Sequence, residues 1–160
     1  MLCTSLTKPP FRVYLYRTLI LLLYCTGLRF GEALRLRLRD VNIRAGVLWV
    51  ATFKGRARWV PFHRTLSCEL RKYLEARRMV AVTAPDEHFF VGGNGQALSV
   101  STAYGTLQRL FRRANLKPLR GRVGPRPYDF RHAFAVQRLN ASGHICTLLY
   151  GHRGSTCKFE

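Results

Sequence analysis

Three separated segments hold the residues best suited to chemistry. The first is Thr26-Gly27-Leu28-Arg29-Phe30-Gly31-Glu32, in which Glu32 stands three residues after Arg29 and can reach back to orient its guanidinium. The second is Lys54, in a basic stretch with Arg56 and Arg58. The third is Tyr128-Asp129-Phe130-Arg131-His132, with Gly151-His152 further on. A guanidinium is a planar fork of donors that matches the oxygens of a phosphate. Taken singly, each of these residues would be an ordinary surface charge or a structural histidine in so basic a chain. Their joint pattern is what lifts them above that background.

The composition points the same way. Across 160 residues, 27 Lys and Arg face 8 Asp and Glu, a formal charge of +19. A compact domain with that excess repels itself, so a polyanion is the expected partner, and nucleic acid leads because arginine dominates the excess. Solubility alone explains it less well, since added acid serves solubility better than added base. At 48% apolar the chain is rich enough to fold around a core, which excludes a wholly disordered chain. The five cysteines, Cys3, Cys25, Cys68, Cys146 and Cys157, are scattered and odd in number, as a reducing cytoplasm permits. His144, Cys146, His152 and Cys157 lack the close paired spacing of a zinc clip, so no metal is expected. The apolar run Leu19 to Tyr24 is too short to span a bilayer, and Cys3 to Lys8 is no signal peptide; no membrane role is expected.

Helices must do most of the positioning. Phe11 to Cys25 is apolar enough for a mostly buried helix stopped at Gly27, and Phe30 to Leu38 resumes a helical pattern. Arg29 therefore sits at a helix–turn–helix junction. Asp40 to Gly46 is a turn by composition. Val47 to Thr52 and Arg58 to Phe62 read as strands of a hairpin turning at Gly55, with Lys54, Arg56 and Arg58 at its basic tip. Pro61 confines the second strand to an edge or an end. Leu66 to Val80 is amphipathic, with Leu70, Tyr73 and Leu74 inward and Arg71, Lys72, Arg77 and Arg78 outward. A short strand is expected at His88 to Val91, then a glycine turn. A helix follows over Ser99 to Asn115, with Ser99 or Ser101 as its cap. Leu116 to Pro127 is a basic loop and Phe130 to Asn140 a last helix. The expected fold is α+β, mainly helical with a small antiparallel sheet.

TGLRxxE, a lysine on a hairpin ahead of an R-x-V-P strand, the stretch Asp129-Phe130-Arg131-His132-Ala133-Phe134-Ala135 and the late Gly151-His152 together resemble the tyrosine recombinase/phage integrase family. The match runs from about Phe11 to His152, and four motifs in order are far more specific than any one. The resemblance implies a DNA strand-cutting and rejoining domain, active in integration and site-specific recombination through a phosphotyrosine intermediate. It makes Arg29 and Arg131 the clamp on the phosphate oxygens, Lys54 the donor of a proton to the departing sugar oxygen, and His152 a hydrogen-bond partner of the phosphate. Glu32, Tyr128 and His132 become supporting residues. Arg56, Arg58, Arg112, Arg113, Lys117, Arg120, Arg122 and Arg126 become contacts to the DNA backbone. No cofactor and no metal are implied, because the arginines do the work of a metal ion. Duplex DNA is the implied partner, with room for a homo-oligomer on it.

Two departures from the family pattern stand out. Tyr128 occupies the place, three residues before the second arginine, where the family usually has histidine; a phenol donates a hydrogen bond but is a poor base near neutral pH. The family's nucleophilic tyrosine lies about nine residues after the late histidine, and residues 153–160 hold none. Tyr150 takes the apolar place before Gly151-His152 and reads as core. Residues 1–10 read as a lead-in rather than the helical domain that usually precedes this one, 11–152 as the catalytic domain, and 153–160 as an irregular tail. The expectation is a domain truncated at both ends and inactive alone. The alternative from another class is a non-catalytic DNA-binding remnant or regulator. An unrelated basic RNA- or ribosome-associated protein is a third reading.

Overall fold

The computed structural model describes residues 10–51, 57–116 and 124–149, the last nine as backbone alone. Helix α1 (Phe11–Thr26) runs through the centre: Leu15, Leu19, Leu22 and Leu23 are all buried. So many apolar positions leave only a few exposed residues, Arg12, Val13, Arg17 and Tyr24, and the helix is packed on several sides. Helix α2 (Phe30–Arg35) follows after a three-residue turn, then a single 3-10 turn (Leu38–Asp40). Strands β1 (Val41–Asn42), β2 (Val47–Val50) and β3 (Arg58–Pro61) form an antiparallel sheet in the order β1-β2-β3. Helices α3 (Arg64–Arg77), α4 (Val100–Arg113) and α5 (Asp129–Leu149) complete the chain order.

Helices α3 and α5 pack against α1. Phe11 stacks on Tyr73 of α3 with ring centroids 5.9 Å apart, and Arg17 pairs with Glu69 at 2.9 Å. In α4, Ala103, Leu107 and Phe111 recur at every fourth position and are buried, while Ser99 caps the helix by accepting from the Thr102 N–H at 3.1 Å. In the sheet, Leu48 and Val50 point into the core and Trp49 points out beside Trp59, the alternation a one-sided sheet requires. Pro61 closes β3, an edge strand, where its missing N–H breaks no ladder bond. Among the described residues, no helix is long and apolar enough to cross a membrane.

Five expectations need correction. The second helix ends at Arg35, not Leu38. Leu36 leaves it in extended conformation and is buried, and Asp40 accepts from the Arg37 N–H at 2.8 Å to start a new turn. Residues 41–42, expected in a turn, pair with β2. His88 to Val91 is not a strand: only isolated bridges, Arg37 to His88 and Val91 to Ala97, flank it. Phe89 and Phe90 are both fully buried, with rings 5.0 Å apart, and consecutive strand residues would face opposite ways. The Tyr73 hydroxyl satisfies this segment instead, donating to the Phe89 carbonyl at 3.0 Å and accepting from the Val91 N–H at 3.2 Å. Burial pushes that phenol up to about 12. Finally, Arg77 is buried rather than outward. It lies four residues after Tyr73 on the inward face and donates to the carbonyls of Val82 at 2.7 Å and His88 at 2.9 Å. The last helix also runs beyond Asn140, to Leu149.

Candidate functional site

Arg29 stands in the turn between α1 and α2. Gly27 ends α1 with a left-handed φ of 62°, and its N–H returns to the Leu23 carbonyl at 3.0 Å. Leu28 and Phe30 on either side of Arg29 are buried, so the turn is pinned while the Arg29 side chain stays 59% exposed. Glu32, one helical turn on, is buried. Its Oε2 accepts from the Arg29 backbone N–H at 3.0 Å, and its Oε1 from the Arg29 guanidinium at 3.2 Å. The reach of Glu32 back to Arg29, expected from their spacing, is present.

Glu32 has a second partner. Arg58, at the start of β3, places Nη2 2.8 Å from Oε2 and Nη1 3.3 Å from Oε1, a forked pair. Arg58 was expected at the DNA-facing hairpin tip; its guanidinium is turned inward onto this carboxylate. The signal was in the strand. Arg58 shares a face with Val60 two residues on, and Val60 packs on the core.

Arg131 arrives from the far end of the sequence. It lies in the first turn of α5 and donates to the Gly27 carbonyl at 2.9 Å, across 104 residues. That carbonyl is two residues before Arg29, so Arg131 is anchored on the turn that carries Arg29. Asp129 shapes the approach by accepting from the Arg126 N–H at 2.7 Å. Phe134, three residues after Arg131, lies over Gly27: a Cβ there would fall 2.4 Å from its ring. Gln137 donates to the Tyr24 hydroxyl. Helix α5 is thus seated along the end of α1 by residues of both motifs.

The electrostatics suit an anion. Burial alone would raise the Glu32 carboxyl, but the hydrogen bonds and charge of Arg58, with the hydrogen bonds of Arg29, outweigh it and hold it below the ordinary value. A carboxyl held low stabilises the fold fully above its unfolded pKa and loses that contribution as pH falls through the folded one. Thermal melts should therefore show the wild type losing stability below about pH 4.5. Glu32→Gln, less stable at pH 7, should lose less over the same range, and the two curves should converge in acid.

The remaining expected residues are distributed as follows. Tyr128, 61% exposed, and His132, also exposed, lie at the start of α5. Arg112 and Arg113 end α4, where they line a groove of about 770 Å³ against α1 together with Arg12, Arg17 and Arg109. Arg109, Arg112 and Arg113 share one face of α4 by their three- and four-residue spacing. Lys54, Arg56, Lys117, Arg120, Arg122, Tyr150 and His152 lie outside the described residues, as do the side chains of His144 and Cys146, and Cys157. Among the described residues, no group of three or more His, Cys, Asp or Glu could hold a metal ion.

This arrangement defines a class, the tyrosine recombinase catalytic domain, and comparison with known proteins agrees. The phage integrase family model matches residues 7–154, and the chain belongs to that family. It is 37% identical over 135 residues to y4rB, named an integrase/recombinase, of Sinorhizobium fredii, covering 83% of this chain and 43% of that protein. It is 33% identical over 142 residues to the tyrosine recombinase XerA of Pyrococcus furiosus, covering 85% and 46%. The chain thus spans less than half the length of these relatives. The fold matches the crystal structure of XerA recombinase with a TM-score of 0.67 at 24% identity, over 88% of this chain and 50% of that one. It also matches XerH recombinase bound to its difH substrate with a TM-score of 0.68 at 22% identity, over 94% and 42%.

Proposed function

We propose that this domain grips duplex DNA and holds one phosphodiester between Arg29 and Arg131, the site at which the family cuts and rejoins strands in recombination and integration. The observation that carries this reading is the Arg131 guanidinium on the Gly27 carbonyl, which brings the second arginine to the turn that presents the first. The charge of +19 supports a polyanionic partner, and XerH, of like fold, is seen on its DNA substrate. Two guanidiniums aimed at one phosphate stabilise the negative charge that builds as an oxygen attacks. In this reading Lys54 protonates the leaving sugar oxygen, His152 hydrogen-bonds the phosphate, and Tyr128 and His132 support the clamp. Arg56, Arg112, Arg113, Lys117, Arg120, Arg122 and Arg126 touch the flanking backbone. The domain occupies residues 11–152, needs no cofactor, and works where DNA is, in the cytoplasm.

A covalent step needs an attacking hydroxyl in line with the phosphate. Arginines polarise a phosphate but supply no oxygen. Within the 160 residues no tyrosine follows Tyr150, and Tyr128 precedes the arginine it would have to serve. The 160-residue polypeptide should therefore bind without cutting. Incubation with a labelled suicide duplex, followed by denaturing electrophoresis, should show no DNA-linked protein. An adduct mapping to Tyr128 or Tyr150 would refute this.

A further inference from the structure

We propose that Arg58 is a positioning residue: by occupying Glu32 it keeps the Arg29 guanidinium free for phosphate. The inference rests on the phosphate-binding reading of Arg29 and adds a division of labour between the two arginines around one carboxylate. Glu32 is buried, and a buried carboxylate must be paired. Two guanidiniums reach it, on unequal terms. Arg58 takes both oxygens, at 2.8 and 3.3 Å, whereas the Arg29 side chain makes one contact at 3.2 Å and remains 59% exposed. Glu32 also accepts from the Arg29 backbone N–H at 3.0 Å, so it fixes the turn without consuming the side chain.

The strand explains why Arg58 makes this contact. It pairs across the ladder with Val50, which is 1% exposed, and shares the core-facing side of β3 with Val60. Its stem thus lies on the core side of the sheet, 37% exposed against 59% for Arg29, and its fork meets the carboxylate at the head of α2. Without Arg58, the uncompensated charge of Glu32 would draw Arg29 into a forked pair of its own. That pair would turn the Arg29 donors away from the open side and cancel the charge offered to the phosphate. Arg58 therefore acts on DNA through Arg29.

This mechanism sets a signature that a direct phosphate contact cannot give. Arg58→Gln should weaken binding of a fluorescent duplex by about tenfold, close to the loss from Arg29→Ala, as expected for one charged hydrogen-bond set. The double variant Glu32→Gln/Arg58→Gln removes the competing carboxylate while keeping an amide oxygen for the Arg29 N–H. It should regain affinity to within about threefold of wild type, the residual loss of a neutral hydrogen bond. Arg58→Lys, which keeps the charge but not the fork and tests the idea if Arg58→Gln folds poorly, should bind more tightly than Arg58→Gln and less tightly than wild type. Thermal melts on every variant separate folding from binding. If Arg29→Ala weakens binding but the double variant is as weak as Arg58→Gln, this inference fails and the phosphate site stands. If Arg29→Ala leaves affinity unchanged, the phosphate reading of Arg29 fails, and the inference with it.

Discussion

Gly27→Ala should lower the melting temperature by about 5–15 °C, while Gly31→Ala, four residues on, should leave it nearly unchanged. Two costs add at Gly27. Its φ of 62° lies in the left-handed region, which costs an L-residue with a Cβ about 1–2 kcal/mol. The added carbon would also fall 2.4 Å from the Phe134 ring, and overpacking of that kind costs about 1–3 kcal/mol. The sum, about 2–5 kcal/mol, corresponds to a fall of that order in a domain of this size. Gly31 has ordinary helical backbone, and a Cβ there meets only the Arg35 guanidinium, at 3.6 Å. The pair of melts separates a helix-propensity effect from a docking effect. Because Phe134 and Arg131 share one helix, displacing the ring moves the guanidinium that rests on the Gly27 carbonyl. Gly27→Ala should therefore weaken duplex binding even at temperatures where it stays folded. A variant that melted and bound like wild type would show that the seating of α5 on this turn does not build the site.

How much of this was legible beforehand depends on range. Local patterns served well: Gly27 as the stop of α1, Ser99 as the cap of α4, and Glu32 reaching Arg29 are all set by spacings of a few residues. For Arg77, charge predicts an outward side chain and position an inward one, and position wins. Four residues after buried Tyr73 it faces inward, and two carbonyls of the following loop receive it. The false strand at His88 to Val91 came from β-prone residues whose side chains do not alternate, since Phe89 and Phe90 are both buried. Arg58 shows the deeper limit. Strand periodicity turns it inward, but only the tertiary fold reveals that Glu32, 26 residues earlier, awaits it. The meeting of Arg131 with the Gly27 turn has no local signal, and family resemblance rather than periodicity anticipated it.

If Arg29 and Arg131 hold the same phosphate, as proposed, a double-mutant cycle read against salt will show it. Affinity for one duplex would be measured across salt concentrations for wild type, Arg29→Ala, Arg131→Ala and the double variant. The wild type should lose affinity steeply with salt, because each neutralised phosphate releases counterions. Residues that share a ligand group are coupled, typically by about 0.5–3 kcal/mol, so the two single losses should not add. The slope should fall by about 0.9, the share of one phosphate, and most of that fall should already be present in either single variant. Losses that add, with a slope reduced by about 1.8, would place the arginines on separate phosphates, and an unchanged slope would take both off the DNA. Either result would contradict the clamp.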